Sequence, residues 1–212
     1  MHRKHLLAPS LLASALLLSA GQALAGADLS VSGRIQPGAC SLALGNGGTI
    51  DLGTISPKDL KEDEATVFDQ HEISLGIHCQ APTKVAFRAL DNRAGTALDG
   101  YWFGLGASGG KSVGRYSLVP RSRVGDGAEL VHLMKSDGGA WKVPPGGSTA
   151  TTWGIDPSVL SSWAEPGQTL PQAFRNISSR LGFYIQIAPT KDLDLSQQVP
   201  IDGSATMELI YL

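Results

Sequence analysis

Two cysteines, Cys40 and Cys79, carry the clearest candidate chemistry in this chain of 212 residues. In a chain exported to an oxidising compartment, an even pair most simply forms one disulfide. Closing a loop of roughly 40 residues would add about 4 kcal/mol of stability in the loop-entropy model. Two free buried thiols are the alternative. His78 precedes Cys79, but adjacent residues of a strand point to opposite faces, so this neighbour does not predict a metal site.

A glycine-rich stretch at residues 104–109 fits the dinucleotide pattern GxGxxG. That pattern binds a pyrophosphate only where a strand turns into a helix. Residues 112–120 have the pattern of a strand, so we interpret residues 104–114 as a loop or a loosely paired hairpin. Gly110, Lys111 and Ser112 resemble the end of a phosphate-binding loop, but Leu105 stands where that loop needs glycine. We therefore expect no cofactor.

Hydrolytic chemistry has little support in the residue pattern. His71, His78 and His132 have no associated serine and acid pattern, and no GxSxG elbow is present. The short acidic runs are typical of solvated loops, so we expect no enzyme, and an exported hydrolase is the least supported class. Four tryptophans lie towards the middle of the chain: Trp102, Trp141, Trp153 and Trp163. Exposed tryptophans stack on sugar rings, but in a sandwich most belong to the core.

The charge balance argues against a nucleic-acid partner. The chain has 17 Lys and Arg against 19 Asp and Glu, a net charge of -2. No basic excess is available to neutralise a phosphate backbone. The hydrophobic fraction of 42% is sufficient for a packed core.

Residues 1–25 have the pattern of a secretory signal peptide. Arg3 and Lys4 precede an apolar run, and residues 23–25 fit the small-x-small cleavage rule, so the exported chain would begin at Gly26. The alternative is a membrane anchor. Pro9 and the cleavage pattern argue against that alternative. No later stretch reaches the roughly 20 apolar residues of a membrane span. We expect no span in the mature chain and a single domain over residues 26–212.

Alternation of apolar and polar residues with period two recurs along the chain. It is clearest over residues 29–35, 73–79, 85–89, 183–187 and 207–211, with turn signals between them. This pattern predicts an all-β antiparallel sandwich with one buried face per sheet. Residues 49–55 are a further short strand candidate. Residues 157–163 would form one or two helical turns, with Asp156 as the N-cap.

Four segments together resemble subunits of the chaperone–usher fimbriae of Gram-negative bacteria. Residues 33–40 run from a glycine through a hydrophobic residue to the first cysteine, as the first strand of that family does. Residues 49–53 end in a hydrophobic-glycine step, and residues 72–79 alternate up to the second cysteine. Residues 205–212 resemble the C-terminal strand with its penultimate tyrosine. Residues 82–188 are instead similar to an uncharacterised group of fimbrial-subunit-like proteins.

This resemblance implies an immunoglobulin-like sandwich of the incomplete pilin type, which lacks its last strand. A periplasmic chaperone fills the resulting groove, an outer-membrane usher exports the subunit, and the next fimbrial subunit donates its N-terminal segment. The implied role is structural, minor or adhesive, in cell adhesion at the surface. The resemblance also implies roles for individual residues. Cys40 and Cys79 would form the disulfide, and the donor positions would be Leu29, Val31 and Ile35. Met207, Leu209 and Tyr211 would line the groove, and basic residues of the chaperone would hold the carboxylate of Leu212.

The N-terminal segment departs from the family pattern. Only residues 26–32 precede Gly33, which is too few for a donor strand of five alternating side chains unless Ile35 serves as well. A subunit that accepts a strand but donates poorly would lie at the end of a fibre. The alternative function is a self-contained exported β-sandwich that binds a glycan or another surface ligand, in which case the sandwich would be closed by its own strand.

Overall fold

The computed structural model describes residues 39–100, 102–144 and 154–212, and all of them belong to one compact unit, Gln36–Leu212. These residues contain strands and short 3-10 turns, and no α-helix was found among them. No helix in the described ranges is therefore long and apolar enough to span a bilayer. The strands are β1 (Cys40–Leu44), β2 (Thr66–Asp91), β3 (Phe103–Gly104), β4 (Ala107–Ser108), β5 (Lys111–Ser112), β6 (Gly114–Gly125), β7 (Ala128–Glu129), β8 (Val131–Ser136), β9 (Val159–Ala164), β10 (Ala173–Ile187) and β11 (Ala205–Tyr211).

The long strand β2 takes part in both layers of the sandwich. Its first half pairs with β1 on one side and with β10 on the other. Its second half pairs with β11 and β9. The first layer continues from β10 to β6, which also pairs with β3 and β7, and the second continues from β9 to β8. All these pairings are antiparallel, so the prediction of an all-β antiparallel sandwich is confirmed.

The core lies between the layers and is built by the alternation that the sequence displays. Leu75 and Ile77 of β2 and Leu181 of β10 are each at most 2% exposed. The neighbouring side chains of Ser74, His78 and Arg180 are exposed to solvent. In the second layer the rings of Phe87 and Trp163 stack with centroids 5.1 Å apart. Burial of these large apolar side chains is the main favourable term in folding.

The disulfide joins directly opposed residues of the first layer. Cys40 and Cys79 are register partners in β1 and β2, with their Cα atoms 4.0 Å apart. Both ends of the bond lie in ordered strands, so the bridge pins the first described strand to the centre of the sheet. The predicted disulfide is confirmed, and the alternative of two free thiols is wrong.

Two local predictions are wrong, each because tertiary pairing outweighs local preference. Residues 157–163 do not form helical turns: Val159–Ala164 is strand β9, whose backbone pairs with β8 and β2. Asp156 instead closes a turn, since its carboxylate accepts the Ser158 N–H at 2.7 Å. Residues 49–55 are extended but form no strand. The glycine-rich stretch contains the short hairpin β4–β5, as the loop interpretation allowed.

Candidate functional site: an apolar groove beside the last strand

An apolar groove of about 750 Å³ lies between the two layers. Alternate residues of β10 point inward and form its floor: Leu181, Phe183, Ile185 and Ile187. The β6 residues Tyr116 and Leu118 extend this floor. The Tyr116 ring stacks on Phe103 and Phe183, and burial, with a smaller effect of Asp91, raises the pKa of its hydroxyl well above the usual range. The floor is therefore uncharged at neutral pH and suited to apolar side chains.

Strand β11 forms one wall, and one edge of this strand has no neighbour among the described residues. The Asn92 N–H donates to the Ser204 carbonyl, and the Leu212 N–H donates to the Lys84 carbonyl. Because hydrogen-bonded pairs alternate in an antiparallel ladder, even-numbered residues of β11 bond to β2. The backbone groups of odd-numbered residues, such as Met207, then point towards the open edge. The Met207 side chain meanwhile lines the groove.

Two chain segments without regular structure form the rest of the rim. Residues 48–55 contribute Ile50, Leu52 and Ile55, and residues 197–201 contribute Val199 and Ile201. No backbone–backbone hydrogen bond joins residues 50–55 to any other described residue. The groove thus has a floor of apolar side chains. Within the part of the chain that the structure describes, it is bordered by the open edge of β11 and by residues 50–55, which make no backbone–backbone hydrogen bond. A protein strand supplies both kinds of complement, apolar side chains and backbone donors and acceptors.

The C-terminal residues singled out by the sequence occupy different positions. Met207 lines the groove, whereas Leu209 packs against the core without being part of the groove lining. Tyr211 is 46% exposed, and its hydroxyl accepts the Cys40 N–H at 2.8 Å. Leu212 is 52% exposed at the end of the strand. The donor positions Leu29, Val31 and Ile35 lie outside the described residues.

Sequence reasoning identified some of the groove and missed the rest. Residues 49–55 were recognised as an apolar segment, although as a strand. The contribution of Val199 and Ile201 to the groove was not predicted. The only sequence signal for it is a short apolar run before the Asp202-Gly203 turn. The floor residues Tyr116 and Leu118 were identified only as part of a strand.

A second cluster that the sequence did not reveal is polar and buried. His132 of β8 lies opposite Trp163 of β9 in the register, and Ser161 lies two residues away on the same face. Their side-chain atoms His132 Nε2, Trp163 Nε1 and Ser161 Oγ are buried and have no hydrogen-bond partner within residues 39–100, 102–144 and 154–212. Burial, and secondarily the positive charge of Arg123, lowers the pKa of His132 from 6.5 to about 3. This imidazole is neutral at physiological pH, and the cluster faces the core and not the groove.

The remaining candidates do not assemble into a catalytic or metal site. Nowhere in residues 39–100, 102–144 and 154–212 do three His, Cys, Asp or Glu side chains gather to hold a metal ion. His78 shares a 2.7 Å hydrogen bond with Asn176, which in turn is bonded to Asp126 on an exposed sheet face. Asp126 accepts two backbone N–H groups there, which lowers the pKa of its carboxyl. This chain of contacts anchors a turn to β10.

The three described tryptophans differ in exposure. Trp163 is buried in the core, as its stacking with Phe87 requires. Trp102 is half-buried, with the Arg115 guanidinium 5.5 Å from its ring centroid. Trp141 is half-buried beside Lys135 and covers the small cluster of Val131, Leu133 and Ala164 on the outer face of β8 and β9. Trp153 lies outside the described residues.

The comparisons with known proteins are distant. A family described as a protein of unknown function (DUF1120) matches residues 29–117, which is less than half of the chain. The chain is 25% identical over 230 residues to the uncharacterized protein YhcF of Escherichia coli (strain K12), covering 94% of this chain and 96% of that protein. It is also 25% identical over 224 residues to protein GltF of the same organism, covering 87% and 88%. These likenesses extend over most of the chain and assign it no activity.

Proposed function

We propose that this chain is a structural or minor, adhesive subunit of a chaperone–usher fimbria, assembled by donor-strand complementation. Its groove accepts a β-strand from another polypeptide, first from a periplasmic chaperone and then from a neighbouring subunit. The chain is exported through the periplasm and an outer-membrane usher to the cell surface. It acts through binding and assembly, without catalysis or a cofactor.

The observation that carries this proposal is a groove with an apolar floor, bordered among the described residues by the open edge of β11 and by a segment without backbone–backbone hydrogen bonds. A groove for a small apolar ligand needs no unpaired backbone. The floor repeat of Leu181, Phe183, Ile185 and Ile187 has a spacing of two residues, which matches the spacing of inward side chains on an added strand. An uncovered edge of this kind is also an aggregation hazard, which explains the need for a chaperone.

The donor side of the proposal rests on the sequence resemblance. Leu29, Val31 and Ile35 would enter the groove of another subunit as alternate side chains. Leu212 lies exposed at the end of β11, where basic residues of a chaperone would bind its carboxylate.

Thermal unfolding with a peptide copying residues 26–36 tests this proposal. A strand that binds only the folded protein stabilises it by about 2.7 kcal/mol at 100 times its Kd. For a domain of this size, that corresponds to a rise in Tm of about 5–10 °C. We expect a rise that depends on peptide concentration.

Two variants of β11 test the groove by introducing glutamine, one on the groove face of the strand and one on its solvent face. Met207→Gln introduces a polar amide into the groove and should reduce the rise in Tm, whereas Glu208→Gln on the solvent face should leave it unchanged. A flat Tm for the unaltered protein, together with stable secretion of a monomer from cells that lack any pilus chaperone, would refute the proposal.

The glycan-binding alternative has a narrower basis. It requires an exposed aromatic face, and the candidate tryptophans among the described residues are Trp102 and Trp141, both half-buried beside a cation. Glycan-array binding that is lost in Trp141→Ala, without any response to the strand peptide, would favour this alternative.

A further inference from the structure

One side of the groove is formed by a segment that is held firmly only at its ends. We name residues 194–201 the strap. Gln197, Gln198, Val199, Pro200 and Ile201 line the groove. No backbone–backbone hydrogen bond joins residues 194–201 to another described residue. The strap therefore touches the site without any backbone–backbone hydrogen bond to the rest of the described chain, and its Ser196 N–H donates only to the Asp194 carboxylate within the strap.

Both ends of the strap are anchored. Before it, the Thr190 N–H donates to the Lys61 carbonyl at 3.0 Å, and the Lys191 ammonium lies 3.1 Å from the Asp63 carboxylate. After it, the Asp202 N–H donates to the Leu105 carbonyl at 2.9 Å. The segment between these anchors is long enough to shift without breaking either of them.

The second anchor is the stronger one because it combines charge with several hydrogen bonds. The Arg93 guanidinium contacts the Asp202 carboxylate at 2.6 Å and also donates to the Asp202 carbonyl. Arg93 is itself fixed at the end of β2, since its N–H donates to the Asp91 carboxylate at 2.8 Å. This ion pair sets the position from which the strap leaves towards the groove.

The apolar side chains of the strap are only partly covered. Leu195 and Ile201 are each 37% exposed, although both line the groove. An exposed apolar side chain beside an apolar groove gains buried area when a further apolar element enters. Unpaired backbone beside an incoming strand gains hydrogen bonds in the same step.

We propose that the strap closes over a strand seated in the groove, with the Arg93–Asp202 ion pair as the anchor about which it closes. This inference rests on the proposed strand-accepting function. Closure slows the release of the bound strand and leaves its entry unaffected, because the contacts form after the strand is seated. The strap thus sets the lifetime of the complex.

Dissociation of a fluorescently labelled peptide copying residues 26–36 from the purified protein tests the closure. Asp202→Asn removes the charge at almost constant size and keeps the backbone bond to Leu105. Exposed ion pairs contribute modestly, so we expect dissociation about two- to fivefold faster with an unchanged association rate. Glu72→Gln is the matched control, since it removes the exposed Arg180–Glu72 pair, which lies outside the strap and both of its anchors.

Hydrogen exchange on the same complex provides a second readout that needs no variant. Amides of residues 194–201 should exchange more slowly when the peptide is bound, together with those of β11. Protection of β11 alone, with the same dissociation rate in Asp202→Asn and the unaltered protein, would show a rigid wall and overturn the strap proposal only. Failure of the unaltered protein to bind the peptide would overturn the strand-accepting function, and the strap proposal with it.

Discussion

Lowering the pH from 7.5 to 5.0 should destabilise the fold through one buried side chain, His132. This imidazole is 4% exposed, and burial lowers its pKa from 6.5 to about 3. The folded state therefore excludes a proton that the unfolded chain takes up. The stability due to the neutral form is complete above pH 6.5 and is lost as the pH falls below that value, down to about 3.

The magnitude follows from the two pKa values. Each pH unit between them changes the free energy of unfolding by about 1.4 kcal/mol. The interval from pH 6.5 to pH 5.0 therefore costs about 2 kcal/mol, and this figure is insensitive to the folded pKa, which lies well below pH 5.0. Asp126 and Asp194 also have lowered pKa values, but their contributions are lost only as the pH falls through the acidic range below the window used.

Urea unfolding followed by tryptophan fluorescence measures this effect at several pH values between 7.5 and 5.0. His132→Leu should remove most of the 2 kcal/mol dependence. The substitution should cost no hydrogen bond at Nε2, because this atom has no partner among the described residues. Equal pH slopes for the two proteins would refute the reasoning, as would an NMR titration in which the His132 ring becomes protonated near pH 6.5.

Three further predictions concern the framework around the groove. Replacing both Cys40 and Cys79 by alanine should lower the free energy of unfolding by about 4 kcal/mol, measured against the oxidised protein in urea, and a loss below about 1 kcal/mol would contradict the loop-entropy argument. Gly104→Ala should cost about 1–3 kcal/mol, because its Cβ would lie 2.7 Å from the Arg93 carbonyl oxygen, whereas Gly76→Ala meets nothing within 4 Å and should be neutral or slightly stabilising; equal melting temperatures would show that the backbone yields freely. Trp163→Ala should cost about 3–5 kcal/mol and Trp163→Phe clearly less, because phenylalanine keeps the stacking on Phe87; the reverse order in calorimetry would contradict the packing argument.

Part of the groove could be predicted because side-chain direction in a strand is a local property. The alternation around Met207 and around Phe183 identified which side chains point inward before any partner strand was known. The disulfide could also be predicted, since two cysteines in an exported chain leave one intramolecular pairing. These features depend on residue type and spacing alone.

Other parts of the site depend on which strands become neighbours. Residues 73–79 and 85–89 looked like two strands, but they belong to the single strand β2 that passes from one layer to the other. Residues 49–55 were predicted as a short strand, yet no backbone–backbone hydrogen bond joins residues 50–55 to another described residue. Residues 157–163 carry a good helix start, and pairing with β8 and β2 outweighs it.

The sequence by itself determined the fold class, the inward faces of the strands and the disulfide, because period-two patterning and a single cysteine pair are encoded locally. Only the tertiary structure decided three features: one edge of β11 has no neighbour among the described residues, His132 is buried, and Arg93 holds Asp202, 109 residues away. Contacts between residues so distant in sequence form only when the whole sandwich assembles, so no local pattern records them.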